Sequence, residues 1–291
     1  MTESVGIVGI GVMGFHIASH IIKKKKLHIL DRNSKKTKVF IKKFKNNKNL
    51  ITHKKLDDLS YNCSFIITCV GDDNDLNDIF LKKNGIINGI NDYSTIVDHT
   101  TASPTITRKL YNKLLKKNCS FFDAPMSGGE IGAKKGILSL MIGGDKLKFN
   151  KLKNVLNLYS KSLVYMGESG SGQLTKMVNQ ICVASVIQGL AEALNFAKKK
   201  RLNVDNLVEV IKNGAAQSWQ LENRAKTMWN NKFNFGFMNK LMLKDLNLIF
   251  EENKTSKYKL PITNIIKKNY AELVKMGFSE EDTSNLIRLL K

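Results

Sequence analysis

Short apolar runs recur along the first 165 residues, and amphipathic stretches separate them. The runs are "SVGIVGIG" (4–11), "LHILD" (27–31), "SFIITCV" (64–70), "STIVDHT" (94–100) and "SFFDAP" (120–125), all rich in Val, Ile or Phe. Apolar character that continues rather than alternates marks strands buried on both faces, hence a parallel sheet with helices on either side. "ILSLMIGG" (137–144) and "SLVYMG" (162–167) add two further strands. After Gly172 the pattern changes to helical segments over 173–198, 204–215, 218–230, 238–252, 262–276 and 279–290, with no convincing strand among them. The expected architecture is therefore α/β: a Rossmann-type doubly wound sheet over residues 1–165, followed by an all-helical domain over 166–291. A long interdomain helix opens the second domain, with "GSG" (170–172) as the hinge.

At 291 residues with 42% hydrophobic content, the chain can bury two cores and is not a disordered polymer. Its most apolar helix is interrupted by Ser185, Gln188, Glu192 and Asn195, so no membrane span is expected. The N-terminus reads as a first strand and not as a targeting peptide, and the expected location is the cytoplasm. Four cysteines without CxxC spacing and five histidines without metal-like spacing give neither a disulfide framework nor a metal site. The net charge is +22, but 42 of the 47 basic residues are Lys and only five are Arg. Arg is the type that phosphate and base-edge contacts favour. The lysines are spread along the whole chain, which reads as compositional bias. No specific nucleic-acid partner is expected, although an anionic small substrate would gain from the field.

The first strand runs into Gly9-x-Gly11-x-x-Gly14 and then into an amphipathic helix. In that context Gly9 permits a tight turn, Gly11 lets the backbone approach a pyrophosphate, and Gly14 lets helix and strand pack closely. The N–H groups that open the helix, with Val12 and Met13 around them, would hold the diphosphate. Asp31 ends the second strand 17 residues after Gly14, placed to accept hydrogen bonds from the adenine ribose. An acid there repels the 2′-phosphate of NADP and favours NAD, whereas Arg32 beside it would stack on adenine or pair with that phosphate. NAD or NADP is thus the expected cofactor, with the balance toward NAD.

A dinucleotide fold does not name a reaction. "FDAPMSGGEIGAKKGILSLMIGG" (122–144) puts Ser127, Gly128 and Gly129 on a loop where a hydroxyl and backbone N–H groups converge. Such a loop suits a carboxylate or is a simple glycine turn. "GSGQLTKMVNQ" (170–180) places Lys176, Asn179 and Gln180 at i, i+3 and i+4, on one helix face. In so lysine-rich a chain, a helical Lys taken alone reads as a surface residue.

Five segments taken in order resemble the β-hydroxyacid dehydrogenase family, which includes 3-hydroxyisobutyrate dehydrogenase and tartronate semialdehyde reductase. They are "GIVGIGVMG", "VDHTTASP", "DAPMSGGEIGAKKGILSLMIGGD", "GESGSGQLTKMVNQ" and "LMLKDLNL", which together span residues 6 to about 250. The resemblance implies that Lys176 is the general acid/base and that Ser127, Gly128 and Gly129 hold the substrate carboxylate. It also implies that Asn179 or Gln180 touches substrate, that Val70, Gly71 and Thr101 lie against the cofactor, and that Lys244 reaches the cofactor from the helical domain. Many family members carry Asn four residues after the lysine, where this chain has Gln180, so which carboxamide meets substrate stays open. An imine reductase on the same scaffold is a second reading, weakened by the lysine, which such relatives generally lack. A basic nucleotide-sensing protein is a third. Trp219 and Arg224 share a helix and would line the pocket, or the Trp would fill a helical core. His99 sits at a strand end but has no catalytic pattern around it. The apolar surface of the long helix points to a homodimer or homotetramer.

Overall fold

β1 (Ser4–Val8) leads through the glycine turn into α1 (Val12–Ile21), then β2 (Lys26–Leu30), α2 (Ser34–Lys43), the short β3 (Leu50–Thr52), α3 (Leu56–Tyr61) and β4 (Phe65–Thr68). This computed structural model describes residues 4–30 and 34–290, so Asp31 and Arg32, expected at the adenine ribose, lie outside the described residues. The chain continues with α4 (Asp73–Leu81), α5 (Ile86–Gly89), β5 (Thr95–Asp98), α6 (Pro104–Leu115), β6 (Ser120–Asp123) and β7 (Met126–Ser127). Next come α7 (Gly129–Lys135), β8 (Leu138–Gly143), α8 (Phe149–Leu156) and β9 (Ser160–Gly167). Local chemistry sets several of these starts. The Asp72 side chain accepts from the N–H groups of Asn74 and Asp75 to open α4. Ser103 caps α6 through the Ile106 N–H, with Pro104 at the first helical position.

Among the described residues nine strands form one sheet, ordered β3-β2-β1-β4-β5-β6-β8-β7, with β9 beside β8. The strands from β3 to β6 pair in parallel, as their continuous apolar runs require. β8 is antiparallel to both β6 and β7, then parallel to β9. The parallel sheet expected from the apolar runs thus holds from β3 to β6, and antiparallel pairing enters only at the β8 edge. β7 contains only two residues, and it folds back onto β8 within the segment that read as a loop. One face of the sheet buries Ile17 and Ile21 of α1, Phe40 of α2 and Leu152 and Val155 of α8. The other buries Leu59 of α3, Leu76 and Phe80 of α4 and Leu110 and Leu114 of α6. Helices on both faces make the sheet doubly wound. The strand order reverses between β1 and β4, which is where such folds receive nucleotides.

The chain divides into two compact units, Met1–Lys176 and Met177–Lys291. The sheet unit extends beyond β9 to take in the first turns of α9 (Ser171–Lys199), because the Asp123 carboxylate holds that helix start from within the sheet. The second unit continues with α10 (Val204–Ile211), α11 (Trp219–Trp229), α12 (Asn239–Ser256), α13 (Pro261–Lys275) and a 3₁₀-helix at Thr283–Leu290. The helical segment expected over 279–290 takes the 3₁₀ form. Asp282 turns the chain into the tighter helix by accepting from both the N–H and the hydroxyl of Ser284. The core of this unit is built on Ala184, Ile187, Ala191 and Leu194 of α9, one stripe of its surface. Leu221 and Met228, Met242 and Leu246, and Tyr270 and Leu273 pack around it. By length and composition alone α9 is apolar enough to cross a membrane, yet these four side chains are buried in a protein core.

Candidate active site

The three glycines have separate structural duties. Gly9 has φ +99°, and a Cβ there would stand 2.1 Å from the Cys69 carbonyl oxygen, so neither the turn nor the neighbouring strand end tolerates a side chain. At Gly14 a Cβ would stand 1.9 Å from the Gly9 carbonyl oxygen, which is the close helix–strand packing expected. Gly11 is different, since a Cβ there would meet nothing within 4 Å. It is the N-cap of α1, without a side-chain cap and with no acidic residue in the first turn. The open side of Gly11 and the N–H groups of an uncapped helix fit a diphosphate, and Val12, 40% exposed, flanks the opening.

Across the switch point, the loop after β4 is fastened to the loop after β5. The Val70 N–H donates to Thr100 Oγ1 at 3.1 Å, and the Gly71 N–H to Asp75 Oδ2 at 3.0 Å. Thr101, half-buried, follows in the second loop. Beneath them the strand ends carry two buried acids in register, Asp98 and Asp123. Asp98 accepts from the Thr68 hydroxyl at 2.7 Å and the Thr100 N–H at 3.1 Å. Burial pushes its carboxyl up to about 7, and the hydrogen bonds from Thr100 and Thr68 oppose that rise. Asp123 accepts from the N–H groups of Gly170 at 2.8 Å and Gln173 at 3.0 Å. Burial raises its carboxyl as well, and those N–H groups pull against it. A carboxylate at this place satisfies orphan donors at the start of α9 and suits the helix dipole.

His99 is buried and held at both ring nitrogens. Nδ1–H donates to the Ala124 carbonyl at 2.6 Å, and Nε2 accepts from the Tyr159 hydroxyl at 2.7 Å. Burial pushes its pKa down to about 4, so the ring is neutral and serves the core.

Lys176 lies one turn beyond Gln173 on α9. Its ammonium donates to the Met126 carbonyl oxygen at 2.9 Å, reaching back fifty residues to β7. That carbonyl immediately precedes Ser127, Gly128 and Gly129, so the structure brings the lysine to the very loop expected to hold a carboxylate. Gly128 has φ +119° and ends β7 in a sharp turn, and a Cβ at Gly129 would meet nothing within 4 Å. The lysine is half-buried, anchored by a neutral acceptor beside a loop with an open face.

Asn179 and Gln180 lie in the helical unit. Gln180 is 3% exposed, donates to Asp245 Oδ2 at 2.6 Å and accepts from the Asn179 amide at 2.8 Å. Of the two carboxamides Asn179 is therefore the less buried, and Gln180 ties α9 to α12. Lys244, on α12, pairs with the other oxygen of Asp245 at 3.2 Å, so one buried acid organises three of the residues singled out from the sequence. Asp245 was not among them, and an acid inside the apolar run "LMLKDLNLIF" is the signal that would have found it. The core placement offered for Trp219 is corrected. It is 48% exposed and stacks on Arg224, whose guanidinium also lies 4.8 Å from the Phe235 ring and donates to Asp282 at 3.1 Å.

Both parts of the chain match known protein families. Residues 4–167 match the NAD binding domain of 6-phosphogluconate dehydrogenase, and residues 170–290 match the NAD-binding domain of NADP-dependent 3-hydroxyisobutyrate dehydrogenase. An uncharacterized oxidoreductase of Shewanella frigidimarina is 40% identical over 99% of this chain and 98% of its own length. The 2-hydroxy-3-oxopropionate reductase of Escherichia coli is 34% identical over 78% of this chain and 77% of its own. The Mycobacterium tuberculosis 3-hydroxyisobutyrate dehydrogenase structure has the same fold, with a TM-score of 0.88 at 21% identity and complete coverage of both chains. With a nucleotide turn, two matching domain models and full-length relatives in one reading, the chain belongs to the β-hydroxyacid dehydrogenase family of nicotinamide-dependent oxidoreductases.

Proposed function

We propose that the protein interconverts a short β-hydroxy acid and its semialdehyde or keto partner, with NAD as the preferred nucleotide and Lys176 as general acid/base. The observation that carries this reading is the contact of the Lys176 ammonium with the Met126 carbonyl, next to the Ser127–Gly129 loop. The Ser127 hydroxyl and the N–H groups of Gly128 and Gly129 bind the substrate carboxylate, and this fixes the reacting carbon relative to the lysine. The nicotinamide, when bound, supplies or accepts the hydride. Lys176 gives its proton to the carbonyl oxygen in reduction and takes the hydroxyl proton in oxidation. Within the helical unit, Gln180 fixes the neighbouring Asn179 amide. The preference for NAD rests on the acid at position 31. The Escherichia coli relative supports a three-carbon substrate.

Steady-state assays with NADH and NADPH against methylmalonate, tartronate and succinate semialdehydes and glyoxylate test the substrate class. The expected result is NADH-preferring reduction of at least one of these acids. Reduction of cyclic imines with no turnover of any of the four would overturn the assignment.

We also infer that a second copy of the chain covers the outer stripe of α9. Val178, Val186 and Phe196 are 61%, 39% and 62% exposed, and with Cys182 they fall along one side of the helix. Light scattering after gel filtration at micromolar concentration is expected to report a dimer or tetramer, and Val178→Asp to shift it toward monomer. A monomeric wild type would sink the idea.

A further inference from the structure

The first turn of α9 contains a buried side chain that the proposed chemistry does not use. Gln173 is 1% exposed, and its backbone N–H and both ends of its carboxamide bond to groups outside α9. Its backbone N–H donates to Asp123 Oδ2 at 3.0 Å. Its carboxamide meets the loop after β5 in both directions: Nε2 donates to the Thr100 carbonyl at 2.7 Å, and Oε1 accepts from the Ala102 N–H at 3.1 Å. These backbone groups flank Thr101, so the side chain clasps the loop as a paired strand would. The same Thr100 accepts from the Val70 N–H through its hydroxyl and donates its own N–H to Asp98. One carboxamide thus joins three pieces: the helix turn that leads to Lys176, the loop carrying Thr101, and the loop carrying Val70 and Gly71.

We propose that Gln173 is a positioning residue that sets the lateral place and rotation of the α9 start, and so holds the Lys176 amine in register with the nucleotide-side loops. The inference rests on Lys176 being the general acid/base. Asp123 fixes the end of the helix along its axis, but carboxylate bonds to two N–H groups leave rotation about that axis soft. The Gln173 amide, one turn before Lys176 on the same side of the helix, removes that freedom. Only a planar group offering one donor and one acceptor satisfies a carbonyl and an N–H two residues apart. An ionised carboxylate would set an oxygen against the Thr100 carbonyl, and a thioether would leave both backbone groups unpaired in a buried place.

The test is a double-mutant cycle on NADH-dependent reduction of tartronate semialdehyde, with Gln173→Met, Gln173→Glu, Lys176→Ala and the Gln173→Met/Lys176→Ala double variant. Gln173→Met is expected to lower kcat by about 10- to 100-fold in the wild-type background and by less than about 3-fold in the Lys176→Ala background, because its effect passes through the amine. Gln173→Glu should recover kcat relative to wild type as pH falls, since a protonated carboxyl can again donate to the Thr100 carbonyl. Gln173→Met should show no such recovery. Equal losses in both backgrounds, or wild-type kcat in Gln173→Met, would overturn the positioning role. Should Gln173→Met fail to fold, the pH recovery of Gln173→Glu decides the matter, and a flat profile counts against the proposal. If Lys176→Ala itself turns over like wild type, the acid/base reading fails, which is distinct from a failure of Gln173 alone.

Discussion

Lys176→Ala is expected to lower kcat by about 10²–10⁴-fold, the usual contribution of a positioned acid/base, while NADH affinity stays within a few-fold of wild type. The separation follows from where the residue sits. Its ammonium contacts the Met126 carbonyl at the mouth of the Ser127–Gly129 loop, whereas the Gly9, Gly11 and Gly14 turn, the proposed diphosphate site, follows a different strand, β1. Removing the side chain takes one hydrogen bond from a carbonyl that also lies in the β7–β8 pairing, a loss of roughly 1 kcal/mol in stability. The protein therefore folds, and the defect lies in the proton step. Lys176→Arg is the sharper companion. It keeps the positive charge but cannot release a proton near neutrality, so an electrostatic role would survive it and a proton-transfer role would not. Stopped-flow reduction with NADH, together with a fluorescence titration of the nucleotide, separates the two. Turnover of the alanine variant equal to wild type would remove the lysine from the mechanism.

How far the sequence discloses this site depends on the range of each interaction. The strands that line the switch point declare themselves through runs of Val, Ile and Phe, because burial on both faces confines polar residues to the strand ends. The glycine turn is equally legible, since Gly9 and Gly14 meet local backbone constraints that only one residue type satisfies. β3, three residues long and only partly buried, and the two-residue β7 carry too few side chains to make a pattern. Harder still are the polar contacts. Gln173 meets Thr100 across 73 residues and Ala102 across 71, and Gln180 meets Asp245 across 65. Nothing local marks a glutamine as a clasp, and each partner is a backbone atom or a side chain brought close only by the fold. The place of Trp219 is hidden for a related reason: its apolar ring suits a core, but the Arg224 guanidinium gives it a cationic partner at the surface.

Substitution of two glycines within the same turn should give opposite defects. Gly14→Ala puts a methyl 1.9 Å from the Gly9 carbonyl oxygen, and both sides of that contact are backbone, so helix and strand must separate. Overpacking of this kind costs about 1–3 kcal/mol or more, and the expected result is a lowered Tm of the sheet unit even without nucleotide. Gly11→Ala meets no protein atom within 4 Å, and its backbone, at φ −78° and ψ −162°, suits alanine. Apo stability should therefore change by about 1 kcal/mol or less, the cost of alanine in place of glycine at an N-cap. The methyl would instead stand where a diphosphate must approach the helix N–H groups. Loss of one or two such charge-assisted bonds, at about 1.5–3 kcal/mol each, predicts NADH binding weaker by about 10²-fold. Thermal melts and fluorescence titrations of the two variants, run side by side, check both halves. If Gly11→Ala bound NADH as tightly as wild type, the phosphates could not lie against this turn, and the empty side of Gly11 would need another occupant.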